Sequence, residues 1–129
     1  MNNPTLTEAN RKIVEDFASV FYGEKNVRKA FEMYVAEEYI QHNPNIPDGR
    51  EAAIAALEPK FSQPLAIFDI KRILVDGDLA AIHLHGRFSP DDAGGAVVDL
   101  FRLKDWLIVE HWDVLQAVPI NCINPHSMF

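Results

Sequence analysis

Three side chains able to move protons stand close together late in the sequence: Asp99, His111 and Asp113. Residues 97–103 and 107–113 read as two strands joined by a tight connection. Period-two alternation sends Asp99, Phe101 and Leu103 to one face, and His111 and Asp113 to a single face of the second strand. A three-residue connection, 104–106, pairs Leu103 with Leu107, sets Asp99 opposite His111 and leaves Asp113 one diagonal step away. A two-residue turn instead slips the register and puts Trp112 across from Asp99. The connection therefore decides whether two carboxylates and an imidazole converge.

Such a trio supports one kind of chemistry well. Aspartate is a weak base, with an ordinary pKa of about 3.9 that burial and a neighbouring carboxylate raise. It can remove a proton already acidified by a carbonyl, while His111 or a protonated Asp99 donates to the enolate oxygen. The competing reading makes Asp99 and Asp113 solvated strand residues, or partners of Arg87 or Arg102. A metal reading rests on His83-Leu84-His85, which with Gly77 matches the opening of the cupin metal motif. The glutamate that motif requires is missing from Gly86-Arg87-Phe88-Ser89-Pro90, and the first half of the chain is helical. His83, His85 and His111 remain a third, non-cupin possibility, and no metal is assigned. Other catalytic signatures are absent: there is no Gly-rich phosphate loop, nucleophile-elbow serine, paired-cysteine zinc pattern or Schiff-base lysine setting.

The elements that must position these groups follow from periodicity. Thr7 caps a helix over residues 7–22, with Ile13, Val14, Phe17, Ala18 and Phe21 on its apolar stripe. A second helix spans 26–35, carrying Ala30, Phe31, Tyr34 and Val35. The stretch Tyr39-Ile40-Gln41-His42-Asn43-Pro44-Asn45-Ile46-Pro47 is a rigid polar loop. His42 and Asn43 there either line a pocket or bond their own backbone in a turn. Asp48-Gly49-Arg50-Glu51 is a capping-box pattern that opens a third helix, with Ala53, Ile54, Leu57 and Phe61 inward. Beyond Pro64 the period becomes that of strands, and Asp76-Gly77 signals a two-residue hairpin. That turn sets Ile70 against His83 and Phe68 against His85, and places both histidines on the helix-covered face. The last strand runs to 118, and the closing Met128-Phe129 docks on the domain or on a neighbour. Helices first and strands after give an α+β domain with a curved antiparallel sheet around helices.

Composition narrows the field. A chain of 129 residues is one domain, 1–129, with 48% apolar residues and a formal net charge of −7. That charge argues against nucleic acid and anionic membranes as partners. No basic-then-apolar leader and no apolar run of membrane-spanning length are visible, and Cys122 stands alone. These features lead us to expect a cytoplasmic protein.

The 39–44 stretch, Val98-Asp99-Leu100-Phe101-Arg102 and Ile108-Val109-Glu110-His111-Trp112-Asp113 together resemble the SnoaL-like polyketide cyclases of the nuclear transport factor 2-like superfamily. The resemblance is narrower still to bacterial proteins described as predicted SnoaL-like aldol-condensation-catalysing enzymes. It implies a cone-shaped curved sheet (a cystatin-like fold) with a deep pocket, commonly in dimers. It further implies intramolecular aldol condensation, or isomerase-type proton transfer on a small carbonyl substrate, without metal or organic cofactor. Asp113 then aligns with the acid/base aspartate. Asp99 stands where the cyclases have a pocket histidine, and Lys104-Asp105-Trp106 replaces their usual Asp-Gly turn. The enolate-stabilising role is thereby left to His42, His85 or His111. The expected catalytic set is Asp113, Asp99 and His111, with His42, Asn43, Tyr39, His83, His85, Phe101 and Phe68 lining the pocket. The expected partners are a small carbonyl or hydrophobic ligand and a second copy of the chain. The alternatives are a non-catalytic ligand-binding or dimerisation module, and water activation by an Asp–Arg–Asp set like that of the epoxide hydrolases of this fold. In that set only Arg87 has the right parity.

Overall fold

A computed structural model describes residues 4–129. The elements are α1 (Pro4–Ala18), a π-helical turn (Ser19–Gly23), α2 (Val27–Tyr34), β1 (Val35–Gln41), α3 (Arg50–Phe61), β2 (Ile67–Asp76), β3 (Leu79–Arg87), β4 (Gly95–Lys104) and β5 (Leu107–Ala117). The strands form one curved, unclosed sheet in the order β1-β5-β4-β3-β2, with the helices over its inner face. The α+β architecture is the expected one. Among the described residues no helix is long and apolar enough to cross a membrane.

Helix α1 buries Asn10, Val14, Phe17 and Ala18 on one stripe. The π-helical turn then lets three consecutive residues, Val20, Phe21 and Tyr22, all be buried. A straight α-helix would turn one of them to solvent, so this widening aims Tyr22 at the sheet. Thr7 is not the cap expected of it: it lies inside α1, and its hydroxyl accepts from the Gly77 N–H at 2.9 Å. Asn10 donates to the Gly77 carbonyl at 2.8 Å, so the β2–β3 turn is moored to α1. Asn26 caps α2 by accepting from the Lys29 N–H. Helix α3 departs from the capping-box reading. Gly49, at φ +98°, is its N-cap, while the Asp48 carboxylate accepts from the Gln41 N–H at 2.7 Å.

The strand β1 was not visible in the sequence, where Val35 closed a helix and Tyr39 opened a loop. It pairs parallel with β5, setting Val35 beside Ile108 and Gln41 beside His111, with a register shift between. The other pairings are antiparallel. The β2–β3 turn is Gly77-Asp78, one residue later than expected, and a register shift follows between Ile70 and Arg72. Ile70 therefore pairs with Leu84, and His85 with Asp69. Ile82 and Leu84 are buried beneath the helices, so His83 and His85 stand on the outer face, opposite to expectation. Phe129 stacks on His85 there, at 4.6 Å between ring centroids.

The β4–β5 connection has two residues, not three. Asp105 (φ +51°) and Trp106 (φ +68°) form a turn with both central residues left-handed, and Lys104 pairs with Leu107. Taken alone, that turn would send His111 outward. Val109 is an extra residue, however: Leu103 pairs with Ile108, and Arg102 with Glu110. This bulge restores the parity, so Phe101 pairs with His111 and Asp99 with Asp113. The three groups share the inner face, with Asp113 rather than His111 directly across from Asp99. The left-handed backbone at exposed Trp106 is costly for any residue with a Cβ. Trp106→Gly is expected to raise stability by about 1 kcal/mol, read as a higher urea midpoint at unchanged m.

Candidate acid/base site

A cavity of about 840 Å³ lies between the helices and the inner sheet face. Phe61, stacked on Phe68 at 4.3 Å, and half-exposed Phe88 line it toward solvent. Its inner end is polar, formed by Asp99 of β4, His111 and Asp113 of β5, Asn43 of the loop after β1, and Tyr22 of the π-helical turn.

Hydrogen bonds fix the proton positions here. The Gln41 Oε1 accepts from the Asn43 N–H at 2.9 Å, so this atom is an oxygen and not the amide nitrogen. His111 Nδ1, 2.7 Å from the same oxygen, must therefore carry a hydrogen and donate it. The other ring nitrogen, Nε2, is 2.9 Å from Asp99 Oδ1, which requires one proton between them, on either partner. Tyr22 donates its phenol hydrogen to Asp99 Oδ2. Asn43 is oriented in the same way: its Oδ1 accepts from the Asn45 N–H, which leaves its NH₂ for the two Asp113 oxygens at 2.8 and 3.2 Å. Both Asp113 oxygens accept from this one NH₂, an arrangement that suits a carboxylate. Asp113 lies 3.9 Å from His111 Nε2 and is the most open of the three, with 23% of its side chain exposed against 12% for Asp99 and 9% for His111.

Burial, and then the Asp99 carboxyl, push the Tyr22 phenol well above the usual tyrosine pKa, and the same two causes raise Tyr39. The phenol therefore remains a donor to Asp99 through the neutral range. In the unfolded chain tyrosine ionises near about pH 10. The native state thus holds the extra proton above that pH, and this stabilisation is present below it and lost as pH rises toward the folded value. Tyr22→Phe is expected to give a shallower fall in Tm between about pH 8 and pH 11, with Tyr39 supplying the remaining slope. At neutral pH its cost is about 1 kcal/mol for the lost hydrogen bond.

The structure brings Asp99, His111, Asp113, Asn43, Tyr39, Phe101 and Phe68 to the one cavity. It takes His42, His83 and His85 away from it. His42 lies on the outer face, stacked on Trp112 at 4.8 Å and 2.7 Å from Glu110, because Trp112 and Glu110 alternate with His111 along β5. Asn43, its neighbour, does both things weighed for this loop, bonding backbone on one side and Asp113 on the other. A His83–His85–His111 metal site is ruled out, since the first two lie across the sheet from the third. Among the described residues, the groups within reach of one cation are Asp99, His111 and Asp113, whose ligand atoms lie within 4.8 Å of one another. An Asp–Arg–Asp set does not form among the described residues: Arg102 pairs with Glu110 on the outer face, and neither aspartate bonds an arginine. Tyr22 and Gln41 were missed. A tyrosine at the end of an apolar stripe was the available signal for the first, since a buried phenol needs a partner.

An open, curved sheet wrapped on helices is the nuclear transport factor 2-like architecture, and two carboxylates and an imidazole stand at the inner end of its cavity. The SnoaL-like domain profile matches residues 14–111, and the chain belongs to that family. Compared with curated proteins, the sequence has no significant match. Among solved structures it is similar to an NTF2-like protein of unknown function from Mesorhizobium loti, with TM-score 0.73, 24% identity, and 86% of this chain and 93% of that one covered. A presumed SnoaL-like polyketide cyclase from Jannaschia sp. CCS1 superposes with TM-score 0.71 at 18% identity, over 89% and 90% of the two chains. A presumed ketosteroid isomerase from Kribbella flavida DSM 17836 gives 0.70 at 18%, over 95% and 89%. At these identities the likeness establishes the fold.

Proposed function

We propose that this protein is an acid/base enzyme that transfers a proton at the carbon next to a carbonyl, in an aldol-condensation or isomerase-type reaction. The observation that carries the reading is the Asp113 carboxyl, which accepts from Asn43 and faces an apolar cavity beside a proton held between Asp99 and His111. In the proposed cycle Asp113 takes the α-proton and the C–H electrons move to the carbonyl oxygen. The resulting enolate oxygen competes with Asp99 Oδ1 for the hydrogen on His111 Nε2 and is stabilised by the bond it takes over. Asp113 then returns its proton to carbon, or the enolate carbon attacks a second carbonyl, whose C=O electrons move to its oxygen, and that alkoxide takes the proton back from Asp113. Tyr22 and Gln41 hold the pair in place, and no cofactor enters. The test is deuterium incorporation from D₂O into enolisable β-dicarbonyl compounds, followed by NMR with the wild type and Asp113→Asn. Exchange that survives the substitution removes Asp113 from the mechanism. Absence of exchange with every compound favours a ligand-binding module on the same fold.

A further inference from the structure

The protonation pattern also determines the charge of the cavity, and that charge points to a class of ligand. The Asp99–His111 pair is neutral as a unit whichever partner carries its proton. Asp113 adds one negative charge, faced by the uncharged amide of Asn43. Two other charged side chains among the described residues line the cavity, Lys60 and Asp92, and they offset each other. Asp92 is further occupied by the N–H groups of Phe88 and Gly94, at 3.1 and 2.9 Å. Neither Arg nor Lys reaches the inner end, which therefore carries one unbalanced negative charge. Aromatic rings stand against the neighbouring Asp99 and His111. Tyr22 bonds Asp99, Phe101 lies 5.1 Å from the His111 ring, and Tyr39 stacks on that ring at 6.2 Å. A carboxylate at the end of a cavity lined by aromatic side chains, with no cation beside it, is a setting for an organic cation. The net charge of −7 on the chain draws such ligands in and repels anions.

We propose that the cavity binds a ring-bearing amine in its ammonium form, with the nitrogen against Asp113 and the apolar body along Phe61, Phe68 and Phe88. The inference rests on the ionised Asp113 of the proposed function and adds a substrate class to it. The ion pair makes Asp113 a weaker base, while an ammonium nitrogen near the carbonyl acidifies the α C–H, because the carbanion left behind is stabilised by the adjacent positive charge. The same charge anchors the substrate and acts on the carbon acid rather than on the base.

Three ligands of the same ring skeleton test this at neutral pH: 2-(aminomethyl)naphthalene, 2-(hydroxymethyl)naphthalene and 2-naphthoic acid, titrated by calorimetry. The amine is expected to bind at least about tenfold more tightly than the alcohol, with the acid weakest. Asp113→Asn is expected to lower the amine to the alcohol's affinity. Equal binding of acid and amine, an amine advantage that survives the substitution, or no binding of the amine overturns the proposal. The wild-type order needs no variant, so a poorly folding Asp113→Asn protein leaves the test intact. Deuterium exchange measured in parallel separates the two readings. Exchange without charge preference removes the ligand class and keeps the catalyst, whereas charge preference without exchange does the reverse.

Discussion

Asp113→Asn is expected to slow α-proton exchange by about 10²–10⁴-fold while leaving the fold in place. The amide has the shape of the carboxylate and still has an oxygen for the Asn43 NH₂ at 2.8 Å. It has no basic oxygen at neutral pH, so the step in which carbon loses its proton is the one removed. An effect confined to kcat marks Asp113 as acting in the transition state, whereas one confined to KM marks it as a binding group. The unfolding midpoint serves as the control. Asp113 is the least buried of the three acid/base groups, and the change in stability is expected to stay within about 1 kcal/mol. Asp99→Asn is a different experiment, because Asp99 carries both the Tyr22 and the His111 hydrogen bonds and its loss disturbs two partners at once.

The largest loss of stability is expected at Phe17→Ala, about 3–5 kcal/mol. Phe17 is fully buried in α1, at the centre of an aromatic cluster. Its ring lies 5.1 Å from Phe21, 5.4 Å from Phe101 and 5.9 Å from Phe31, with Tyr22 edge-on at 6.5 Å. Removing it opens a cavity that rings cannot refill by a small rotation, since each is already held by others. Domains of this size are stable by about 5–15 kcal/mol, so the substitution takes a large share of the whole. Urea unfolding checks the magnitude. Weaker α-proton exchange by the protein that remains folded is also expected, because Phe17 touches both Tyr22 and Phe101, which flank Asp99 and His111.

Periodicity was a good guide wherever one face of an element was clearly apolar. The stripes of α1 and α2 and the alternation of β4 are of this kind, and they put Asp99 and Phe101 inward without knowledge of the rest. It failed where both faces were mixed. In β3 the sequence Ala-Ile-His-Leu-His offers two acceptable faces, and an extra residue in β2 between Ile70 and Arg72 set Ile70 opposite Leu84 instead of a histidine, leaving His83 and His85 outside. Strand β1 could not be read because Ala36, Glu37 and Glu38 do not alternate, and a parallel strand owes its existence to β5 more than to its own residues. Gln41 and Asn43 stood in a polar loop already singled out, but their roles depend on which amide atom faces which N–H. That is a property of the folded loop. The convergence of Asp99, His111 and Asp113 was legible only as one of two registers. The structure reaches it by a shorter turn and a compensating bulge, which composition does not announce.

The bulge at Val109 makes this site sensitive to counting more than to chemistry. Along residues 104–111 many substitutions leave the alternation untouched, since the pleat depends on how many residues intervene and not on which they are. A single inserted or deleted residue has the opposite character. It leaves the composition nearly unchanged yet exchanges the two faces of β5, bringing Trp112 and Glu110 toward the cavity and taking His111 and Asp113 out to solvent. Within this family, the length of the segment between β4 and the His-Trp-Asp run is therefore a sharper marker of a shared site than the residues that compose it.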